Sequence, residues 1–263
     1  MRKKVGLALS SGGARGFSHV GVIKVLKKHN IPIDYISGTS IGAMVAAYYA
    51  LNLEVEGFEK EFKNFRKRDL LKLIDLNNPR ISLIKGEKVK IFLSKFFYGK
   101  NFKDTKIPLS IGATVLEDGS KKIFKTGKIL DAVIASGAFP GVFPPVKYKG
   151  KTLIDGGLAD ATPVDLVNEL GAEIIIAVDL FGFHRTNKKD FDNIWKVFGR
   201  VYEIAMSRLS TYTSKGYGDN IIVLKPKGGS RTDTFAIHKA NQYIKIGEKE
   251  ARKHIKKIKE LIG

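Results

Sequence analysis

The alternation of apolar and polar positions opens with a short apolar run at residues 3–9, which reads as a strand. The glycine-rich turn Ser11-Gly12-Gly13-Ala14-Arg15-Gly16 follows, then a helix over 17–29 with Phe17 and Val20 at helical spacing, ended by Asn30 ahead of Pro32. A second buried strand reads at 33–36, then Gly38-Thr39-Ser40-Ile41-Gly42, then an alanine-rich helix to about residue 50. Strand, turn, helix, strand, turn, helix is the alternation of an α/β protein, a parallel sheet with helices on its faces. From 54 to 99 the pattern turns helical, basic and irregular, with helices expected at 56–68 and 88–97 and a break at Asn77-Asn78-Pro79. Two readings stand for that insertion: a lid or cap over a site, or helices covering a sheet face. Strands at 109–116 and 122–125 flank Glu117-Asp118-Gly119-Ser120 as a hairpin, and a helix follows at 129–135. After the loop from Ser136 to Pro145, a second hairpin over 146–154 turns at Lys149-Gly150 and runs straight into Asp155-Gly156-Gly157. A helix at 163–170 has Pro163 at its first position, and the near-continuous apolar run 173–180 predicts a strand buried on both faces. A polar loop at 181–189, a long helix at 191–213 and a strand at 220–224 lead to a final helix at 238–262. That helix carries Ala240, Ile244, Ala251, Ile255, Ile258 and Ile262 on one face. With no repeat and no linker, residues 1–263 are expected to form one domain, a core at about 5–180 and a C-terminal helical part at 181–263.

Composition narrows this picture. A chain of 263 residues with 43% hydrophobic and 27% charged side chains is globular, and no apolar run approaches the ~20 residues of a spanning helix. The start, Met1-Arg2-Lys3-Lys4 before a short apolar run, mimics a signal peptide, but the run is too short and reads as a strand. The absence of cysteine excludes disulfides and thiolate chemistry and fits a reducing cytoplasm. Cytoplasm is the expected location, with contact at the inner membrane surface as a further option. The net charge of +20 concentrates in two clusters, Lys60 to Lys72 and Lys239 to Lys259. Such clusters are solvated helix faces, a docking surface for anionic membrane, or a nucleic-acid footprint, and no nucleic-acid motif supports the last.

The candidate chemistry centres on Ser40. In a strand–turn–helix context, Gly38-Thr39-Ser40-Ile41-Gly42 has the form of a nucleophile elbow, and the helix beginning there aims free N–H groups at a developing oxyanion. A plain turn with Ser40 capping the helix is the rival reading. A serine nucleophile needs a base. Of the five histidines only His19, near the glycine turn, is placed plausibly close. Asp155 is the better candidate, ending a strand before two glycines, where burial would raise a carboxyl pKa toward usefulness. The turn Gly12-Gly13-Ala14 after the first strand would form an anion nest of backbone N–H groups. A nucleotide site is disfavoured, because Ser11 to Gly16 lacks the first glycine of Gly-x-Gly-x-x-Gly and any Lys-Ser/Thr ending.

Four motifs in order, the Gly-Gly-Ala-Arg-Gly turn, Gly38 to Gly42, Ser136-Gly137-Ala138-Phe139-Pro140-Gly141-Val142-Phe143-Pro144-Pro145 and Asp155-Gly156-Gly157, resemble those of the patatin-like phospholipases, and the chain looks like a bacterial member. The resemblance covers roughly residues 5–179. It implies a three-layer α/β/α sandwich with a mainly parallel sheet and a Ser40–Asp155 dyad, with no metal and no cofactor. Gly12, Gly13 and Ala14 would form the oxyanion hole, and Arg15, Gly16, Gly38, Gly42, Gly156 and Gly157 would support the motifs. It further implies hydrolysis of phospholipid or related acyl esters. Arg15 is open to two uses, meeting a lipid phosphate or forming a structural ion pair. One departure is Ser11, where the family usually has a third glycine; its Cβ either narrows the hole or leans away. The alternative in another class is a membrane-surface lipid-binding protein with weak or lost esterase activity.

Overall fold

Strand β1 (Val5–Leu9) is buried along its whole length because neighbouring strands flank it and helices cover both of its faces. A computed structural model describes residues 2–181, 194–213, 218–228 and 234–263. Beside β1 lie β2 (Tyr35–Thr39) and β7 (Ile174–Val178), both parallel to it, with β8 (Ile221–Leu224) parallel to β7. On the far side of β2 stands β3 (Leu109–Val115), also parallel, followed by the antiparallel strands β4 (Lys121–Phe124), β5 (Val146–Tyr148) and β6 (Lys151–Ile154). Alternate residues face alternate layers, as pleating requires. Leu7, Leu9, Ile176, Val178, Ile222 and Leu224 enter the large core under α1 (Phe17–Lys28), α2 (Ile41–Asn52) and α9 (Ala240–Ile262). Ala8, Ile175 and Ala177 instead meet Val164 and Val167 of α7 (Val164–Glu169) on the opposite face. The layers are therefore α/β/α around a mainly parallel sheet.

One junction in this sheet positions the site. Ile111 of β3 pairs with Gly38 of β2 and with Phe124 of β4, and Thr114 pairs with Ile154 of β6 and with Lys121 of β4. Since β4 occupies one edge of β3, β2 and β6 share the other. They approach each other head-on along it, β2 ending at Thr39 opposite Gly112 and β6 ending at Ile154 opposite Thr114. The residues that follow the two strand ends, Ser40 and Asp155, are thus delivered to one place from opposite directions.

The insertion packs through its aromatic side chains on the helix layer, α1 and α2, rather than on the sheet itself. Phe58 and Phe62 of α3 (Glu56–Lys63) pack on Phe17, with ring centroids 6.2 and 4.9 Å apart, and Phe96 of α5 (Glu87–Phe97) joins the same cluster. Only its middle part reaches toward the site, where Leu83 and Ile84 donate N–H groups to Gly141 and Val142. Where one helix was expected at 56–68 there are two, α3 and α4 (Lys67–Lys72), because Arg66 is extended and Asp69 accepts its N–H at 3.0 Å, restarting the helix. β2 starts and ends later than the apolar run 33–36, since pairing with β1 runs from Tyr35 to Gly38 and takes in a glycine that periodicity does not flag. Pro163 sits one residue before α7 rather than at its first position. Helix α6 (Ile129–Ser136) matches its expected place, and α8 (Ile194–Thr213) accounts for most of the expected 191–213 helix. The expected loop at 181–189 falls, except for Phe181, outside the described residues, as do 191–193. Among the described residues no helix is long and apolar enough to cross a membrane.

Candidate active site

Ser40 stands between β2 and α2 with φ 54° and ψ −124°, a left-handed conformation that costs a non-glycine residue free energy and marks a held, strained apex. The residues two positions away on either side are glycine because nothing else fits. A Cβ on Gly42 would lie 2.2 Å from the Leu9 carbonyl oxygen, and one on Gly38 would lie 2.3 Å from the Gly42 oxygen. Ser40 precedes α2 but its side chain makes no capping hydrogen bond, so the plain capping role is not the one it fills. Its backbone N–H instead donates to Ser136 Oγ at 2.7 Å, and Ser136 donates onward to the Gly112 carbonyl at 2.6 Å. The serine that opens the 136–145 loop is therefore a brace under the elbow.

Asp155 is held by its own main chain. Its N–H donates to the Ala138 carbonyl at 2.9 Å, and its carbonyl accepts from Thr114 Oγ1 at 2.7 Å. The side chain is completely buried. Oδ1 accepts from the Gly157 N–H at 2.8 Å and the Tyr202 hydroxyl at 3.1 Å, while among the described residues Oδ2 accepts no hydrogen bond. Burial pushes the carboxyl pKa above the usual carboxylate range; the Ser40 hydroxyl, the Gly157 N–H, Tyr202 and Ser11 pull it partly back. Gly156 is required here, since a Cβ would stand 2.1 Å from the Gly112 carbonyl oxygen.

The glycine turn completes the arrangement. Ser10 and Ser11 donate their N–H groups to Val178 and Ala161, but among the described residues those of Gly12, Gly13 and Ala14 are donated to nothing. They open a short 3-10 turn, Gly13–Gly16, that leads into α1. Gly13 has φ 58°, and a Cβ there would meet the Thr234 carbonyl oxygen at 2.5 Å. The Ser11 side chain packs against Gly157: the position of a Cβ on Gly157 lies 2.9 Å from Ser11 Cβ and 3.0 Å from its Oγ. Gly16 lets Ile41 approach, a Cβ there falling 2.3 Å from the Ile41 side chain. Arg15 takes the structural alternative, pairing with Glu203 at 3.5 Å and packing over the Phe181 ring. His19 is fully buried, with Nε2 donating to the Ser10 carbonyl at 2.8 Å. Burial pushes its pKa down to about 4, so it braces the turn as a neutral ring. Among the described residues no group of three or more His, Asp or Glu side chains is arranged to hold a metal ion. His184 lies outside the described residues.

Two site residues escaped sequence reasoning, Tyr202 and Glu203, both on α8. A signal existed. The outward face of that helix carries exposed Ile194, Val197, Phe198 and Val201, while Glu203, Ser207 and Ser210 are buried. A helix that turns its polar residues inward reaches something polar there.

An α/β/α sandwich with a serine at a strained strand–helix turn, a buried aspartate at an opposing strand end and a glycine-rich turn after the first strand defines the class, an α/β protein with a serine elbow. The sequence model for patatin-like phospholipase matches residues 7–168. The chain belongs to the patatin-like phospholipase family. It is 33% identical over 218 residues to lysophospholipase NTE1 of Cryptococcus neoformans, covering 80% of this chain and 13% of that protein. It is 37% identical over 181 residues to lysophospholipase NTE1 of Debaryomyces hansenii, covering 68% of this chain and 12% of that protein. The chain thus spans about an eighth of the length of these curated relatives. Its fold is similar to that of VipD from Legionella pneumophila, with a TM-score of 0.64 and 16% identity over 97% of this chain and 67% of that one.

Proposed function

We propose that this protein is a serine acyl hydrolase that cleaves carboxylic ester bonds of phospholipids or related acyl lipids through Ser40 and Asp155. The carrying observation is the head-on meeting of β2 and β6 on one edge of β3, which brings a strained serine and a fully buried aspartate together. Ser40 Oγ attacks the ester carbonyl carbon as its proton passes to the Asp155 carboxylate. The oxyanion formed is held by the N–H groups of Gly12, Gly13 and Ala14. Collapse breaks the ester C–O bond, and the leaving alkoxide takes the proton from Asp155. Water then gives a proton to Asp155 and attacks the acyl-enzyme, and as the Ser40–acyl bond breaks Asp155 returns that proton to Ser40 Oγ, releasing the fatty acid. A base must be ionised yet thirsty for a proton, and the raised pKa of the buried carboxyl supports that role.

Lipid as the substrate class is supported by the family and by the names of the relatives. Contact with a lipid surface is supported by exposed apolar side chains around the loop that follows Ser136. Phe139 of that loop touches Phe198 of α8 and Phe235, and the loop's Gly141 is bonded to the segment carrying exposed Leu76, Ile81 and Leu83. The test is fatty-acid release from a lysophospholipid by the wild-type protein and by Ser40→Ala. Turnover lost by roughly 10⁴-fold or more in a folded Ser40→Ala protein is expected. A wild-type protein that binds the lipid without turning it over would instead be a lipid-binding protein of the membrane surface.

A further inference from the structure

The two oxygens of Asp155 are unequal. Oδ1 is taken by the Gly157 N–H and by the Tyr202 hydroxyl at 3.1 Å, leaving Oδ2 as the oxygen open to a proton. Tyr202 reaches this point from α8, some distance along the chain, and is fixed there on several sides. Its ring lies 4.7 Å from that of Phe139. The next residue, Glu203, pairs with Arg15 of the glycine turn, and Thr162 shares a hydrogen bond with Ser210 one further stretch of the helix along. Ser11, the residue that departs from the family's usual glycine, packs its side chain into the same corner against Gly157.

We propose that Tyr202, backed by Ser11, is the positioning residue of the base: its hydroxyl fixes the carboxylate through Oδ1 so that Oδ2 is the oxygen that exchanges protons with Ser40. The proposal rests on the reading of Asp155 as the base. In a serine triad the base is a histidine oriented by a carboxylate; here the base is the carboxylate and a phenol orients it. A donor suits that task because it stabilises the ionised form without competing for the proton. Burial and the neighbouring Asp155 charge hold the Tyr202 pKa well above its ordinary value, so the phenol stays a donor throughout the working pH range. Ser11 brings a second hydroxyl to the same corner, its Oγ and Asp155 Oδ1 both lying about the space a Cβ on Gly157 would take, and it lowers the Asp155 pKa.

The test is the pH profile of kcat/KM on a soluble p-nitrophenyl acyl ester for wild type, Tyr202→Phe, Ser11→Ala and Asp155→Asn. Tyr202→Phe keeps the ring against Phe139 and removes one donor. Loss of a donor raises the carboxyl pKa, so the acid limb of the profile should move to higher pH by about one unit, the equivalent of one hydrogen bond to a charged group. The loss should fall on kcat rather than KM. Ser11→Ala, which leaves α8 untouched, should move the limb in the same direction by less, and it carries the test if Tyr202→Phe does not fold. An inactive Asp155→Asn together with unmoved limbs in both hydroxyl variants would overturn the positioning role and leave the base in place. An Asp155→Asn enzyme of wild-type activity would remove the base and this role together.

Discussion

Ser136 is where the geometry makes its sharpest quantitative claim. Its hydroxyl accepts the Ser40 N–H at 2.7 Å and donates to the Gly112 carbonyl at 2.6 Å, and it is itself fully buried. Ser136→Ala removes one oxygen, leaves the methyl group's space almost unchanged, and strands two backbone groups away from water. Each buried polar group left without a partner costs about 1–3 kcal/mol, so the loss should total roughly 2–6 kcal/mol. That is a large share of the ~5–15 kcal/mol by which a domain is stable. The elbow should also relax, because the φ of 54° at Ser40 persists only while its surroundings impose it. Urea unfolding followed by circular dichroism gives the first quantity, and hydrolysis of a soluble p-nitrophenyl ester the second. A midpoint lowered at constant slope, with activity reduced in the fraction that remains folded, is expected. A Ser136→Ala protein within about 0.5 kcal/mol of wild type would refute the reasoning, since no surface-like substitution should behave so well here.

Further outcomes follow from other parts of the molecule. Gly42→Ala should abolish folding or cost more than about 3 kcal/mol, because its Cβ would press on two backbone carbonyls, Leu9 at 2.2 Å and Ser10 at 2.6 Å; a normal yield and melting temperature would contradict it. Folded protein keeps His19 neutral down to about pH 4, whereas the unfolded chain takes up that proton near pH 6.5. Stability should therefore fall by about 3 kcal/mol as pH drops through that window, and His19→Gln should flatten this slope of denaturant-derived stability against pH. If the basic clusters dock on lipid, each near-surface Lys or Arg contributes about 1 kcal/mol on an anionic bilayer within a Debye length of ~8 Å. Co-sedimentation with anionic vesicles should then weaken steeply with salt, while equal binding to neutral vesicles would leave the clusters as solvated faces.

Much of this was legible from residue order. The parallel core, the second hairpin at Lys149-Gly150 and the inward stripe Ala240, Ile244, Ala251, Ile258 and Ile262 follow from periodicity and turn chemistry, which act over a few residues. The resemblance of four short motifs carried the family. What periodicity did not reveal depends on contacts between distant segments. Nothing local marks Tyr202 as a partner of Asp155, 47 positions away, or Ser136 as a brace for Ser40, 96 positions away. Ser11 was ambiguous for the same reason, since its packing against Gly157 joins segments far apart in the chain. The break between α3 and α4 was missed because one backbone-to-carboxylate bond, Arg66 to Asp69, outweighs a continuous helical pattern.

The most direct test of the dyad is the rate and position of covalent labelling by an alkyl fluorophosphonate, followed by intact mass and peptide mapping. Wild-type protein should gain a single adduct on Ser40, and Asp155→Asn should label at the same residue more slowly by roughly two orders of magnitude, the contribution of a general base. An adduct on another residue, or labelling of folded Asp155→Asn at the wild-type rate, would contradict the assignment of Ser40 as nucleophile and Asp155 as its base.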